Sequence, residues 1–226
     1  MDNIQIPITE NGTTTLATAG KYCDRNIEVN VNVNGATNDR YEEGKQAEYD
    51  AFWDVYQGPQ RLHYAYAFSY TGWTDDNYNP KYPIATTNAT GIQRLFEWNM
   101  HVTDTKVPIT AYGSCSQAFY EARALKRIPK LIFAGVTNVT NMFLNCSKLE
   151  ELNCEGELTI GGLDLKSCTK LNKASIVSVI GILSTTTSGL SVTISKTAVE
   201  NAFGSTEAEE WTTLIGTRSN WTINLV

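Results

Sequence analysis

The chain has 226 residues, 42% hydrophobic and 19% charged, with a formal net charge of −6 and a pI near 5.0. This is enough material to bury a core, as one large domain or two small ones. The acidic balance, with no basic run, excludes a nucleic-acid groove or an anionic membrane surface, both of which need clustered Lys and Arg.

Residues 3 to 34 read as short strands. Ile4-Gln5-Ile6 alternates and Asn11-Gly12 is a turn dipeptide. Ile27, Val29, Val31 and Val33 alternate strictly with polar residues, so they share one face of a strand. Residues 1–36 are therefore expected to form a small β-module. It is too small to be stable alone, which makes it a candidate contact for a homo-oligomer. The N-terminus lacks a basic region followed by an apolar stretch, so no signal peptide is expected, and no apolar run is long enough for membrane insertion.

Residues 37–90 read as a helical and aromatic cap. Asp39 with Glu42 forms a capping pair, Gly58-Pro59 stops the helix, and Tyr49, Phe52, Trp53 and Tyr56 make an aromatic stripe between them. The segment that follows carries Tyr64, Tyr66, Tyr70, Trp73, Tyr78 and Tyr82. Alternation from Tyr64 to Tyr70 predicts a strand. Rigid, amphipathic side chains in this density fit a binding surface or the bulky cover of an apolar end, and both readings stay open.

From Ala118 to Leu171, within an expected solenoid-and-cap region of residues 91–226, one phrase recurs. Phe119, Phe143 and Leu165 align, as do Ala122, Cys146 and Cys168, and then Leu125, Leu149 and Leu171; Phe96 with Val102 is a degenerate earlier copy. A period of 20 to 29 residues with such slots predicts a leucine-rich-repeat solenoid of the α/β class, with parallel strands stacked coil on coil. Leu131-Ile132-Phe133 and Leu158-Thr159-Ile160 are the expected strands. Ile176, Val179, Ile180 and Leu183 mark a helix and Leu190–Ile194 a strand. Thr197 with Glu200 and Thr206 with Glu209 suggest two further helix starts, separated by Gly204, before a last strand at Trp221–Leu225. These helix–strand units are expected to cap the solenoid.

The chemistry of a site is sparse. His63 and His101 are the only histidines, and Asp75-Asp76-Asn77-Tyr78-Asn79 lacks the spacing and closing Glu of a calcium loop, so no metal is expected. Gly113-Ser114-Cys115-Ser116 is not a nucleophile elbow. Five cysteines (Cys23, Cys115, Cys146, Cys154, Cys168) without a CxxC pair read as reduced, buried thiols. No catalytic residue, cofactor or enzymatic activity is expected. Asp75, Asp76 and Glu97 are the acids nearest the aromatic segment, and a glycan-active hydrolase on a repeat scaffold would need two of them to face each other.

Met142-Phe143-Leu144-Asn145-Cys146-Ser147-Lys148-Leu149 resembles the cysteine-bearing leucine-rich repeat of bacterial surface proteins. Ile8-Thr9-Glu10-Asn11-Gly12-Thr13 through Val29-Asn30-Val31 resembles a β-module of prophage tail and baseplate proteins, and Ser219–Val226 is similar to the close of repeat proteins from that setting. The resemblance implies a non-enzymatic structural or recognition role, associated with a virion or cell surface and directed at a protein or cell-surface glycan. An intracellular adaptor is the alternative that fits a cytoplasmic chain. Export by an unrecognised route would also place the protein outside the cell.

Overall fold

The structure is a computed structural model that describes residues 5–10, 13–18, 64–69, 73–76, 78–80, 82–86 and 89–226. The expected strand at Ile27–Val33, the helix following Asp39 and Tyr70 lie outside the described residues. The chain divides into two compact units, Met1–Glu43 and Gly44–Val226. In the first, β1 (Gln5–Glu10) and β2 (Thr13–Thr18) pair antiparallel, from Gln5 against Thr18 to Glu10 against Thr13.

In the second unit, β3 (Ile109–Ser114), β4 (Arg127–Asn138) and β5 (Glu151–Glu157) form one parallel sheet in that order. β6 (Leu163–Leu165), β7 (Leu190–Ile194) and β8 (Trp221–Leu225) form a second. The helices are α1 (Lys173–Gly181), α2 (Lys196–Phe203) and α3 (Glu209–Gly216). Ser195 caps α2 through the Ala198 amide, and Gly204 ends it at φ 87°. Ala208 precedes α3 without a side-chain cap. Neither helix uses the capping threonine that the sequence suggests.

The extended leucine-rich-repeat solenoid expected from the period is not formed. The parallel strands belong to two separate three-stranded sheets in a small α/β domain, and no single sheet runs along one face from residue 91 to 226. Leu158 makes only an isolated bridge to Leu183, so Leu158-Thr159-Ile160 is not the strand predicted. Phe119, Leu125, Phe143, Leu149, Leu165 and Leu171 nevertheless share one hydrophobic core.

The first sheet stops because a helix takes the place of its next strand. Ser175 and Ser178, one turn apart on α1, face the outer edge of β5. The Leu152 amide donates to Ser175 Oγ at 2.8 Å and the Cys154 amide to Ser178 Oγ at 3.1 Å. The two hydroxyls donate in turn to the Glu150 and Leu152 carbonyls at 3.2 and 2.8 Å. Edge groups that a further strand would satisfy are thus satisfied by side chains, as buried main-chain polar groups must be. Ser175→Ala is expected to cost about 1–3 kcal/mol, because it strands a buried donor. Val177→Ala, on the exposed side of α1, should stay within about 0.5 kcal/mol. Urea unfolding of the two variants checks this, and equal midpoints would refute the edge-capping role.

Gly156 lies in β5 at φ 87°, and a Cβ there would sit 2.2 Å from the Phe133 carbonyl oxygen of β4. Only glycine allows that approach between strands.

Candidate functional site

Before β3, between β3 and β4, and between β4 and β5, the chain runs through three short turn segments, residues 92–99, 115–122 and 139–146. All three close the same turns, and the first two bond onward to the next. Alternate amides close turns on the carbonyl three residues back, as in Leu95 to Ile92, Glu97 to Arg94 and Asn99 to Phe96, at 3.0–3.3 Å. The amides between them reach the next segment: Arg94, Phe96 and Trp98 donate to the carbonyls of Ser116, Ala118 and Tyr120 at 2.7–3.0 Å. Gln117, Phe119 and Glu121 do the same to Thr140, Met142 and Leu144 at 2.9 Å. Tyr66 and Phe68 extend the ladder outward, donating to Gln93 and Leu95 at 3.0 and 2.8 Å.

Residues four apart share an environment in this ribbon. Ile92 and Phe96, Cys115 and Phe119, and Val139 and Phe143 are buried. The Phe96, Phe119 and Phe143 rings stack at centroid separations of 5.8 and 5.2 Å. Arg94 and Trp98, Gln117 and Glu121, and Asn141 and Asn145 all have φ between 54° and 66°, as does Tyr66. Glycine and asparagine adopt this left-handed backbone most readily; for bulky side chains it costs about 1–2 kcal/mol. The last segment uses Asn at both positions. The first two segments and the Tyr66 turn do not, and instead carry large side chains on strained backbone.

Those side chains form a patterned surface. Trp98 is 38% exposed and Tyr66 43%. Trp98 meets Tyr120 edge-on at 5.8 Å, and the Arg94 guanidinium lies over the Tyr66 ring at 5.4 Å. Glu121 is buried, its carboxylate accepting from Arg123 Nε at 2.5 Å and Asn145 Nδ2 at 2.6 Å. The bond from Arg123 holds its carboxyl below the usual range, against the opposing effect of burial, and Asn145 adds to the lowering. Glu121 is therefore an ionised anchor for its neighbours and a poor proton donor.

The six aromatic residues singled out in the sequence separate. Tyr64 and Tyr78 are buried in the core, so they are not part of a contact surface. Tyr78 packs edge-on against Phe68 and Phe96 at 5.0 and 5.4 Å, and its hydroxyl donates to the Thr105 carbonyl at 3.0 Å. Trp73 is partly buried, edge-on to Phe68 at 5.6 Å. Tyr66 and Tyr82 are exposed, and Tyr70 lies outside the described residues. Over residues 64–69 the predicted strand is instead a pair of turns, Ala67 to Tyr64 and Ser69 to Tyr66, at 3.1 and 3.3 Å. That geometry turns Tyr64 and Phe68 inward and leaves Tyr66 outside.

The thiols are structural. Cys115, Cys146, Cys154 and Cys168 are free and buried. Burial pushes the Cys115 and Cys154 thiols up to about 12 and raises Cys146 and Cys168 as well. Cys146 Sγ donates to the Phe119 carbonyl at 2.9 Å. Protonated thiols of this kind are not nucleophiles at neutral pH.

Trp98, Arg94 and Tyr120 were not among the expected site residues. Their signal is the 23-residue step from Trp98 to Glu121, which carries a left-handed position from one segment to the next. No protein-family model matches the chain, and no curated protein or solved structure matches it.

Proposed function

We propose that this chain is a non-enzymatic recognition module that engages a protein or cell-surface glycan through Tyr66, Arg94, Trp98 and Tyr120. The observation that carries the reading is the pairing of strain with exposure. Tyr66 and Trp98 occupy left-handed backbone that glycine would adopt at no steric cost, yet both are large aromatics turned toward solvent. Outlying backbone that retains a bulky exposed side chain points to use of that side chain. Tyr and Trp offer rigid contact area at low entropic cost, and the neighbouring guanidinium adds a directional donor. The setting on a virion or bacterial surface rests on the likeness of Met142–Leu149 and the two terminal motifs.

Trp98→Gly tests the reading. Glycine suits φ 57° but gives up the covered part of the indole and its contact with Tyr120, so folding stability is expected to fall by about 1–3 kcal/mol. Binding to bacterial cells or purified wall glycans should fall about tenfold or more. Binding to glycans or to a protein captured from the same cells distinguishes the two partner classes. A large loss of stability with binding intact would sink the proposal.

A further inference from the structure

The oxygen-rich loop at Asp75–Asn79 holds a cation, and that cation is a side chain of the protein itself. Lys106 Nζ donates to the Asp75 carbonyl at 2.8 Å, the Tyr78 carbonyl at 2.6 Å and Asn79 Oδ1 at 2.9 Å. An ammonium has three N–H donors, and the loop presents an acceptor for each at charge-assisted hydrogen-bond length. The Tyr78 ring lies 5.9 Å away, within reach of a cation–π contact. The carboxylates of Asp75 and Asp104 are committed elsewhere. Asp75 accepts from the Thr103 amide and hydroxyl at 2.8 and 2.6 Å. Asp104 accepts from the Lys106 amide at 2.6 Å and from Arg127 Nη1 at 2.8 Å. Among the described residues, the oxygens bonded to Nζ are two main-chain carbonyls and one amide, all neutral. Calcium sites draw on carboxylates and take six to eight oxygens; this one has the count and charge for a single ammonium.

We propose that Asp75, Tyr78 and Asn79 form a primary-ammonium site, filled in cis by Lys106, and that it accepts small alkylammonium ions once that side chain is removed. This assignment is independent of the aromatic surface. Lys106 has φ 59°, so Lys106→Gly removes the side chain without adding backbone strain and is the variant of choice. n-Butylammonium chloride should raise the melting temperature of Lys106→Gly by a few degrees and leave the unaltered protein unmoved, as expected for a ligand that binds the folded state. Tetramethylammonium chloride at equal ionic strength should do nothing, since it cannot donate. An equal response to both salts, or none to either, overturns the proposal. A second measurement needs no variant. Lys106 is itself exposed, as are Lys148 and Lys170, so only its three hydrogen bonds can protect it: acetic anhydride should modify it about tenfold more slowly than those two, and equal rates would overturn the proposal as firmly.

Discussion

Phe119→Ala is expected to cost about 3–5 kcal/mol of folding free energy. Phe119 is fully buried at the middle of the ring stack, with its ring plane 12° from that of Phe96 and 6° from that of Phe143. Removing it deletes a large apolar area, leaves a cavity between two aromatic faces, and forfeits ring–ring contacts worth about 0.5–1.5 kcal/mol each. A domain of this kind has only about 5–15 kcal/mol to lose. Phe119→Leu keeps most of the volume but loses both ring contacts, and should cost about 1–3 kcal/mol. The midpoints of urea unfolding compare the two directly, provided the slope is unchanged. Similar midpoints for Ala and Leu would mean that the buried volume contributes little and that the two ring contacts, which both variants lose, carry the effect.

The recurrence of Phe119 and Phe143 was legible in the sequence because apolar slots at a fixed step report shared burial. What it did not report was the conformation between slots. A left-handed position usually announces itself as glycine, and here it is occupied by Arg94, Trp98, Gln117 and Glu121. The ribbon was therefore invisible, and with it the exposed Trp98. The end of the first sheet was hidden for a similar reason. Ser175 and Ser178 look like unremarkable helix residues until β5 is known to lie beside them. β5 itself, Glu151–Glu157, buries only Leu152 and Cys154 among acidic and polar residues, and does not look like a strand. The aromatic segment misled in the opposite direction. Alternation from Tyr64 to Tyr70 mimics a strand, whereas two consecutive turns put Tyr64 and Phe68 inside.

The C-terminal elements were the most readable, and they support the other large expected effect: removal of residues 205 to 226 should leave an insoluble or oligomeric protein. The two strands expected at Leu190–Ile194 and Trp221–Leu225 pair in register, from Leu190 opposite Trp221 to Ile194 opposite Leu225. The deletion strips β8 from β7, whose Val192 and Ile194 are buried, and leaves an uncovered apolar strand edge. It removes Trp211 and Trp221 from the core, together with the bond from Trp221 Nε1 to the Ser184 carbonyl at 2.8 Å. It also removes Arg218, whose guanidinium donates to the Gly181 and Leu183 carbonyls at 2.9 and 2.8 Å. Those carbonyls close the C-terminal end of α1, the helix whose serines cap β5, so the loss reaches both sheets. Size-exclusion chromatography and thermal melting of the truncated chain test the expectation. A well-behaved monomer with unchanged melting would show that α3 and β8 are an appendage and that the rest of the domain closes without them.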